Sequence, residues 1–97
     1  MVLKIAGKNL DIGDALRSRI DETVTGTVEK YFDRGYSGQV TVSKDGGFFQ
    51  TELALHLDTG AVLEVHGSDV DAHQSFEQAA ERLAKRLRRY KRRLKDH

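Results

Sequence analysis

The side chains best suited to recognising a polyanion are gathered in residues 82–97, RLAKRLRRYKRRLKDH. Nine of the sixteen Lys and Arg residues of the 97-residue chain fall there: Arg82, Lys85, Arg86, Arg88, Arg89, Lys91, Arg92, Arg93 and Lys95, against one acid, Asp96. This segment carries a charge of +8, and residues 1–81, with seven basic and fourteen acidic side chains, carry −7. The formal net charge of +1 therefore conceals a strongly dipolar chain. Six of the nine are arginines, whose planar guanidinium can hold a phosphate or a base edge through two parallel N–H bonds.

Solvated helix faces normally mix Glu with Lys, so that residues four apart attract. From 85 to 95, however, every position off the apolar stripe is basic. Lys85 with Arg89, Arg88 with Arg92 and Arg89 with Arg93 are like-charge pairs, each costing about 0.2–0.5 kcal/mol in an isolated helix. A chain lying against phosphates recovers that cost by releasing counterions, so the pattern points to nucleic acid. An anionic lipid surface fits less well, because the stripe has no tryptophan and no cluster of large aromatics. Tyr90 sits among the arginines and could stack on a base, but its place on the stripe favours packing with Leu87 and Leu94. The Cys and His pairs of a zinc finger are missing. Phe48 and Phe49 point to opposite faces of one strand, unlike the stacking pair of an RNA-recognition sheet.

Other chemistry is thinly represented. His66, Asp69 and His73 could be imagined around a metal, with His56 on a separate strand, but ordinary capping and surface roles explain them better. The chain has no cysteine, no phosphate-cradling glycine loop with a lysine, and no serine in a nucleophile-elbow motif. The reading is a non-enzyme without cofactor or metal. The size and the 38% hydrophobic content suit one domain over residues 1–97. No apolar run has signal or membrane-spanning length, and together with the lack of cysteine this suggests a soluble, cytoplasmic protein.

The elements that must position the basic residues follow from periodicity. Val2, Leu3, Ile5 and Ala6 form a first strand ended by Gly7. Ile12, Leu16, Ile20, Val24, Val28, Tyr31 and Phe32 recur at helical spacing and predict a helix of about twenty residues, closed by Asp33-Arg34-Gly35. Gly26 within it costs about 1 kcal/mol relative to alanine. Gln39 to Lys44 reads as a second strand, Asp45-Gly46-Gly47 as a tight turn, and Phe49 to Leu57 as a half-buried third strand. After Asp58-Thr59-Gly60, residues Ala61 to His66 alternate as a fourth strand, closed by Gly67. Phe32, Phe49 and Phe76 are read as core.

Ser68 with Asp71 three residues on resembles a capping box and opens a long second helix. His73, Phe76, Ala80, Leu83, Leu87, Tyr90 and Leu94 then form one apolar stripe. The order β-α-β-β-β-α predicts an α+β two-layer sandwich. The four-stranded mixed sheet has its first two strands parallel and the rest antiparallel, with both helices on one face and the other face wet. A helix from Ser68 to Lys95 is about 40 Å long, against about 23 Å for a seven-residue strand, so its basic half is expected to overhang the sheet.

With these elements in place, the chain resembles the ribosome hibernation-promoting factor and protein Y family over nearly its whole length. LKIAGKNLDIGDALR resembles that family's first strand and helix entry, EKYFDR its first helix end, SKDGGF its hairpin, and GSDVDAHQSFEQAAERLAKRLRRYKRRLKDH its last helix. The resemblance implies a fold related to double-stranded RNA-binding domains. It implies binding to 16S rRNA in the channel of the small (30S) ribosomal subunit between head and body, across the messenger and tRNA sites. Translation is thereby blocked while inactive ribosomes are stored in stationary phase or starvation. By similarity, Arg82, Lys85, Arg89, Lys91, Arg93 and Lys95 match basic family positions that would contact ribosomal RNA, with Arg17 and Lys44 as secondary contacts.

The chain departs from the family in places. His73 stands where tyrosine is common, Ala72 where a hydrophobic residue is, and Gly13 where a threonine usually caps the helix. The acidic C-terminal extension of one branch is missing, which favours the branch that promotes ribosome dimers. Dimerisation would then come through a separate factor or a C-terminal dimerisation domain. Whether the chain is a complete short form or the first domain of a long form stays open, and so does the alternative of a general duplex RNA or DNA module without ribosome specificity.

Overall fold

The computed structural model describes residues 2–32 and 35–95. Its elements are β1 (Val2–Lys8), α1 (Gly13–Glu29), β2 (Tyr36–Asp45), β3 (Phe48–Leu57), β4 (Val62–Asp69) and α2 (Ala72–Lys95). The sheet order is β1-β2-β3-β4, with β1 parallel to β2 and both later pairings antiparallel. This is the expected α+β sandwich.

Register explains the two faces. Leu3, Gly38, Leu55 and Leu63 lie side by side, as do Ile5, Val40, Leu53 and Val65. Alternation turns both rows the same way. They join Leu16, Ile20, Val24 and Val28 of α1 and Phe76, Ala79, Ala80, Leu83 and Leu87 of α2 in one core. The intervening row Lys4, Gln39, Ala54 and Glu64 faces outward, with none of the four fully buried. At the β2–β3 hairpin Asp45 pairs with Phe48. Gly46 at φ 61° supplies the positive dihedral that a two-residue loop requires.

The strands are longer than the sequence pattern suggests, because glycines at inner-face positions interrupt the apolar alternation. A Cβ on Gly38 would come within 2.9 Å of Leu3 Cδ1. On Gly67 it would run into the Ser75 carbonyl oxygen and lie 2.9 Å from the Ala79 nitrogen. Gly67 is thus where the backbone of α2 settles directly on β4. Beside it the buried hydroxyls of Thr51 and Ser75 meet at 2.8 Å, and Ser75 also donates to the Ala72 carbonyl at 2.8 Å.

Two boundaries correct the sequence reading. Ser68 is not the cap of α2: it pairs with Gln50 inside β4. Asp71 is the cap, its Oδ2 accepting the Gln74 N–H at 3.0 Å, and Asp69 Oδ1 in turn accepts the Asp71 N–H at 3.0 Å. The first helix stops at Glu29 rather than continuing through Phe32. The Tyr31 and Phe32 N–H groups both close on the Val28 carbonyl, leaving both rings on the rim of the core. The expected stop at Asp33-Arg34 lies outside the described residues. At the entrance of α1 no side chain caps the helix, and Gly13 has φ 76°. Of the expected core phenylalanines, Phe76 is fully buried and Phe32 and Phe49 are half-buried.

These lengths change the geometry of the basic helix. A 24-residue α2 spans about 36 Å and the ten-residue β3 about 33 Å. Burial along the stripe continues to Leu87, Tyr90 is half-buried, and Leu94 is 42% exposed. The overhang is therefore about one turn, not half the helix, and the stripe's other end, His73, is exposed.

Candidate nucleic-acid interface

The basic residues of α2 share a helix but not an environment. Arg82 and Arg86 reach over β4, the last strand of the sheet. The Arg82 Nη1 donates to the His66 carbonyl at 2.5 Å, and the Arg86 Nη1 donates to the Glu64 carbonyl at 2.6 Å. One turn earlier, Gln78 Oε1 accepts the Ser68 N–H at 3.2 Å, while its Nε2 donates to Asp69 Oδ2 at 3.2 Å. Positions 78, 82 and 86 advance about 6 Å per step along the helix, and outward-facing groups two residues apart on a strand advance about 6.6 Å. The near match lets three successive side chains strap α2 to the unpaired edge of the sheet.

Lys91 is also tied inward, with its Nζ 5.0 Å from the centre of the Phe32 ring, a distance at which a cation is attracted to the ring face. Lys85 lies 3.5 Å from Glu81 one turn back, both side chains well exposed. Four arginines differ. Arg88, Arg89, Arg92 and Arg93 are exposed, and among the described residues their side chains enter no hydrogen bond or ion pair. At 100° per residue they span an arc of about 140° on the side of α2 away from Leu83 and Leu87. The Lys95 side chain and Asp96 lie outside the described part of the structure.

The two secondary candidates are held apart from this arc. Arg17 on α1 donates from Nη1 to the Ile5 carbonyl at 3.0 Å, on β1 at the opposite side of the sheet. Lys44, with Nζ 5.8 Å from the Phe49 ring centre, borders a groove with Ala72 and His73 at the N-terminal end of α2. His66 faces outward on β4 and His73 is exposed on the first turn of α2. Among the described residues no three His, Asp or Glu side chains come together as metal ligands would.

Two contacts of charged side chains link the helices to each other and to the sheet. Arg19 Nε on α1 meets Glu77 Oε1 on α2 at 2.8 Å, and the Glu77 carboxylate raises the arginine's pKa through that bond and its charge. Tyr36 is buried. Burial first, then the Glu29 charge and the 3.4 Å bond the hydroxyl donates to it, push its pKa above the usual value.

Sequence reasoning found the charge but missed the straps. Their only signal was the coincidence of 78, 82 and 86 with the alternating positions 68, 66 and 64. It missed as well the bond of 2.7 Å between the Tyr90 and Thr59 hydroxyls.

Known proteins align with this geometry. The family model described as Sigma 54 modulation protein / S30EA ribosomal protein matches residues 3–95. A ribosome hibernation promotion factor of Rhizobium meliloti (strain 1021) is 52% identical over 97 residues, covering all of this chain and 51% of that protein. The ribosome hibernation promoting factor of Escherichia coli (strain K12) is 29% identical over 99 residues and covered over its full length. Among solved structures, the Thermus thermophilus protein Y N-terminal domain superposes with a TM-score of 0.83 at 26% identity, over 93% of this chain and 99% of that one. The chain spans about half the length of the Rhizobium relative and the whole of the Escherichia coli one.

Proposed function

Because the chain belongs to the Sigma 54 modulation protein / S30EA ribosomal protein family, we propose that it is a ribosome-binding domain that holds ribosomes inactive. It acts by occupying a site rather than by catalysing a reaction, and it does so in the cytoplasm. Its partner is the small (30S) subunit, bound through 16S rRNA in the messenger and tRNA channel. The observation that carries this reading is the arc of Arg88, Arg89, Arg92 and Arg93, exposed on a helix fastened to its sheet. The names of its relatives support the same direction.

The arc works by electrostatics. Each guanidinium set against a phosphate displaces a condensed counterion, so affinity comes largely from ion release and falls with salt. A helix already seated on a sheet presents these charges without first having to fold, which spares the ordering cost of a flexible basic tail. Lys85 and the outward N–H groups of Arg82 and Arg86 extend the surface, and Lys91, Lys95, Arg17 and Lys44 are peripheral contacts. Ribosome dimerisation is the work of a separate factor or of a further domain.

Co-sedimentation with purified small subunits tests the proposal. Binding at moderate salt that random duplex RNA and DNA fail to compete away supports it. Absence from the pellet overturns it, and equal competition by random duplex overturns it in favour of a general duplex-binding module.

A further inference from the structure

We propose that Tyr90 is a positioning residue for the basic arc, holding the last turns of α2 in register through Thr59; the part concerning affinity rests on the nucleic-acid reading above. The apolar anchoring of α2 ends at Leu87, which is fully buried, and Leu94 is already 42% exposed. Between them the helix carries Arg88, Arg89, Arg92 and Arg93, whose like charges four residues apart repel. The carbonyls of the last turn lack helical partners, so this is where a helix frays first.

Tyr90 is placed to oppose that fraying. Its hydroxyl lies 2.7 Å from Thr59 Oγ1 in the β3–β4 loop, and its ring lies 6.2 Å from that of Phe32, just beyond α1. The loop end of the bond is itself braced. Thr59 Oγ1 accepts the Ala61 N–H at 3.4 Å, and the Leu57 N–H donates to the Ala61 carbonyl at 2.9 Å. One residue thus joins the exit of α1, the β3–β4 loop and the charged end of α2. The hydroxyl is the part that fixes register, since a ring alone can slide along Phe32. Tyr90 faces the body while the four arginines face away, so it acts through them and does not itself touch the partner.

The experiment compares Tyr90→Phe, Thr59→Ala and the double variant with the native chain. Amide exchange is followed in the free protein, and binding to purified small subunits is titrated at several salt concentrations. Each single variant is expected to speed exchange of amides 88–94 by about threefold to tenfold, the span of one net hydrogen bond. Leu83, Leu87 and the thermal midpoint should shift by no more than the loss of this one bond explains. Affinity should fall by a similar factor with the same salt slope, because the phosphates contacted are the same, and the double variant should be no worse than either single one. Native exchange in Tyr90→Phe overturns the clamp whether or not small subunits bind. Weaker binding without faster exchange also overturns it, because the hydroxyl would then contact the partner directly. Faster exchange with unchanged affinity limits Tyr90 to stabilising the helix and overturns the positioning role.

Discussion

Arg86 donates from Nη1 to the main-chain carbonyl of Glu64 at 2.6 Å, which makes it a structural residue as well as a charged one. Charge reversal there would test fold and binding together. The separable test uses the exposed arc. Arg89→Gln and Arg93→Gln should each lower the log–log salt slope of subunit binding by about 0.7–0.9 while leaving the melting midpoint in place. Arg86→Gln should lower the midpoint first. Unchanged slopes in the two arc variants would show that the arc is not the contact surface.

The same straps carry a second expectation. β4 is an edge strand, and unpaired outward carbonyls are templates for another strand. Replacing Arg82 and Arg86 together with alanine removes the donors from His66 and Glu64 and should cost about 1–2 kcal/mol. Sedimentation velocity should then reveal concentration-dependent association that an Arg88→Ala, Arg92→Ala control lacks. A strictly monomeric strap variant would show that the edge needs no guarding.

Gly67 gives the sharpest stability prediction. Its missing Cβ is filled by main-chain atoms of α2 at Ser75 and Ala79, which cannot move without lifting the helix. Gly67→Ala should cost at least about 1–3 kcal/mol, as overpacking in a core does. The thermal midpoint should drop by roughly 4–8 °C per kcal/mol in a domain of this size. A native midpoint would mean that α2 does not sit this close to β4.

The sequence carried the element order, the strand pairing and the location of the charge, because alternation and 3-4 spacing are strong signals where side chains are apolar or basic. It misjudged lengths where glycine broke the pattern. Gly38 and Gly67 look like interruptions in a one-dimensional reading, yet both occupy inner-face positions, and at Gly67 main-chain atoms leave no room for a side chain. The error propagated: short strands and a helix begun at Ser68 implied a long overhang, whereas the sheet supports α2 almost to its end. The site was legible as charge and illegible as contact. Arg82 and Arg89 are indistinguishable in a string of letters, and only the neighbouring strand separates the one that holds a carbonyl from the one that, among the described residues, holds none.

Alkaline pH should loosen the fold through Tyr36. Its folded pKa is raised above the ordinary value near 10 by burial and by Glu29, so the folded state holds this proton more tightly than the unfolded chain. The stabilisation is fully present below the unfolded pKa and is lost as pH rises through the folded one. Denaturation followed from pH 8 to 11 should show stability declining in the alkaline range, and Tyr36→Phe should flatten that decline. An identical alkaline limb in the variant would assign it to other groups.

The sheet order also sets an order of assembly. β2, β3 and β4 follow one another in sequence and in space, joined by short loops, so their contacts close early and locally. β1 reaches β2 only across the whole of α1, and among the described residues β2 is the one strand it pairs with. It should dock last and open first, with its amides exchanging faster than those of the three-stranded meander; slower exchange in β1 would refute that sequence of events. The basic helix leans on β3 and β4, the strands that form earliest, so it keeps its seat while the first strand breathes.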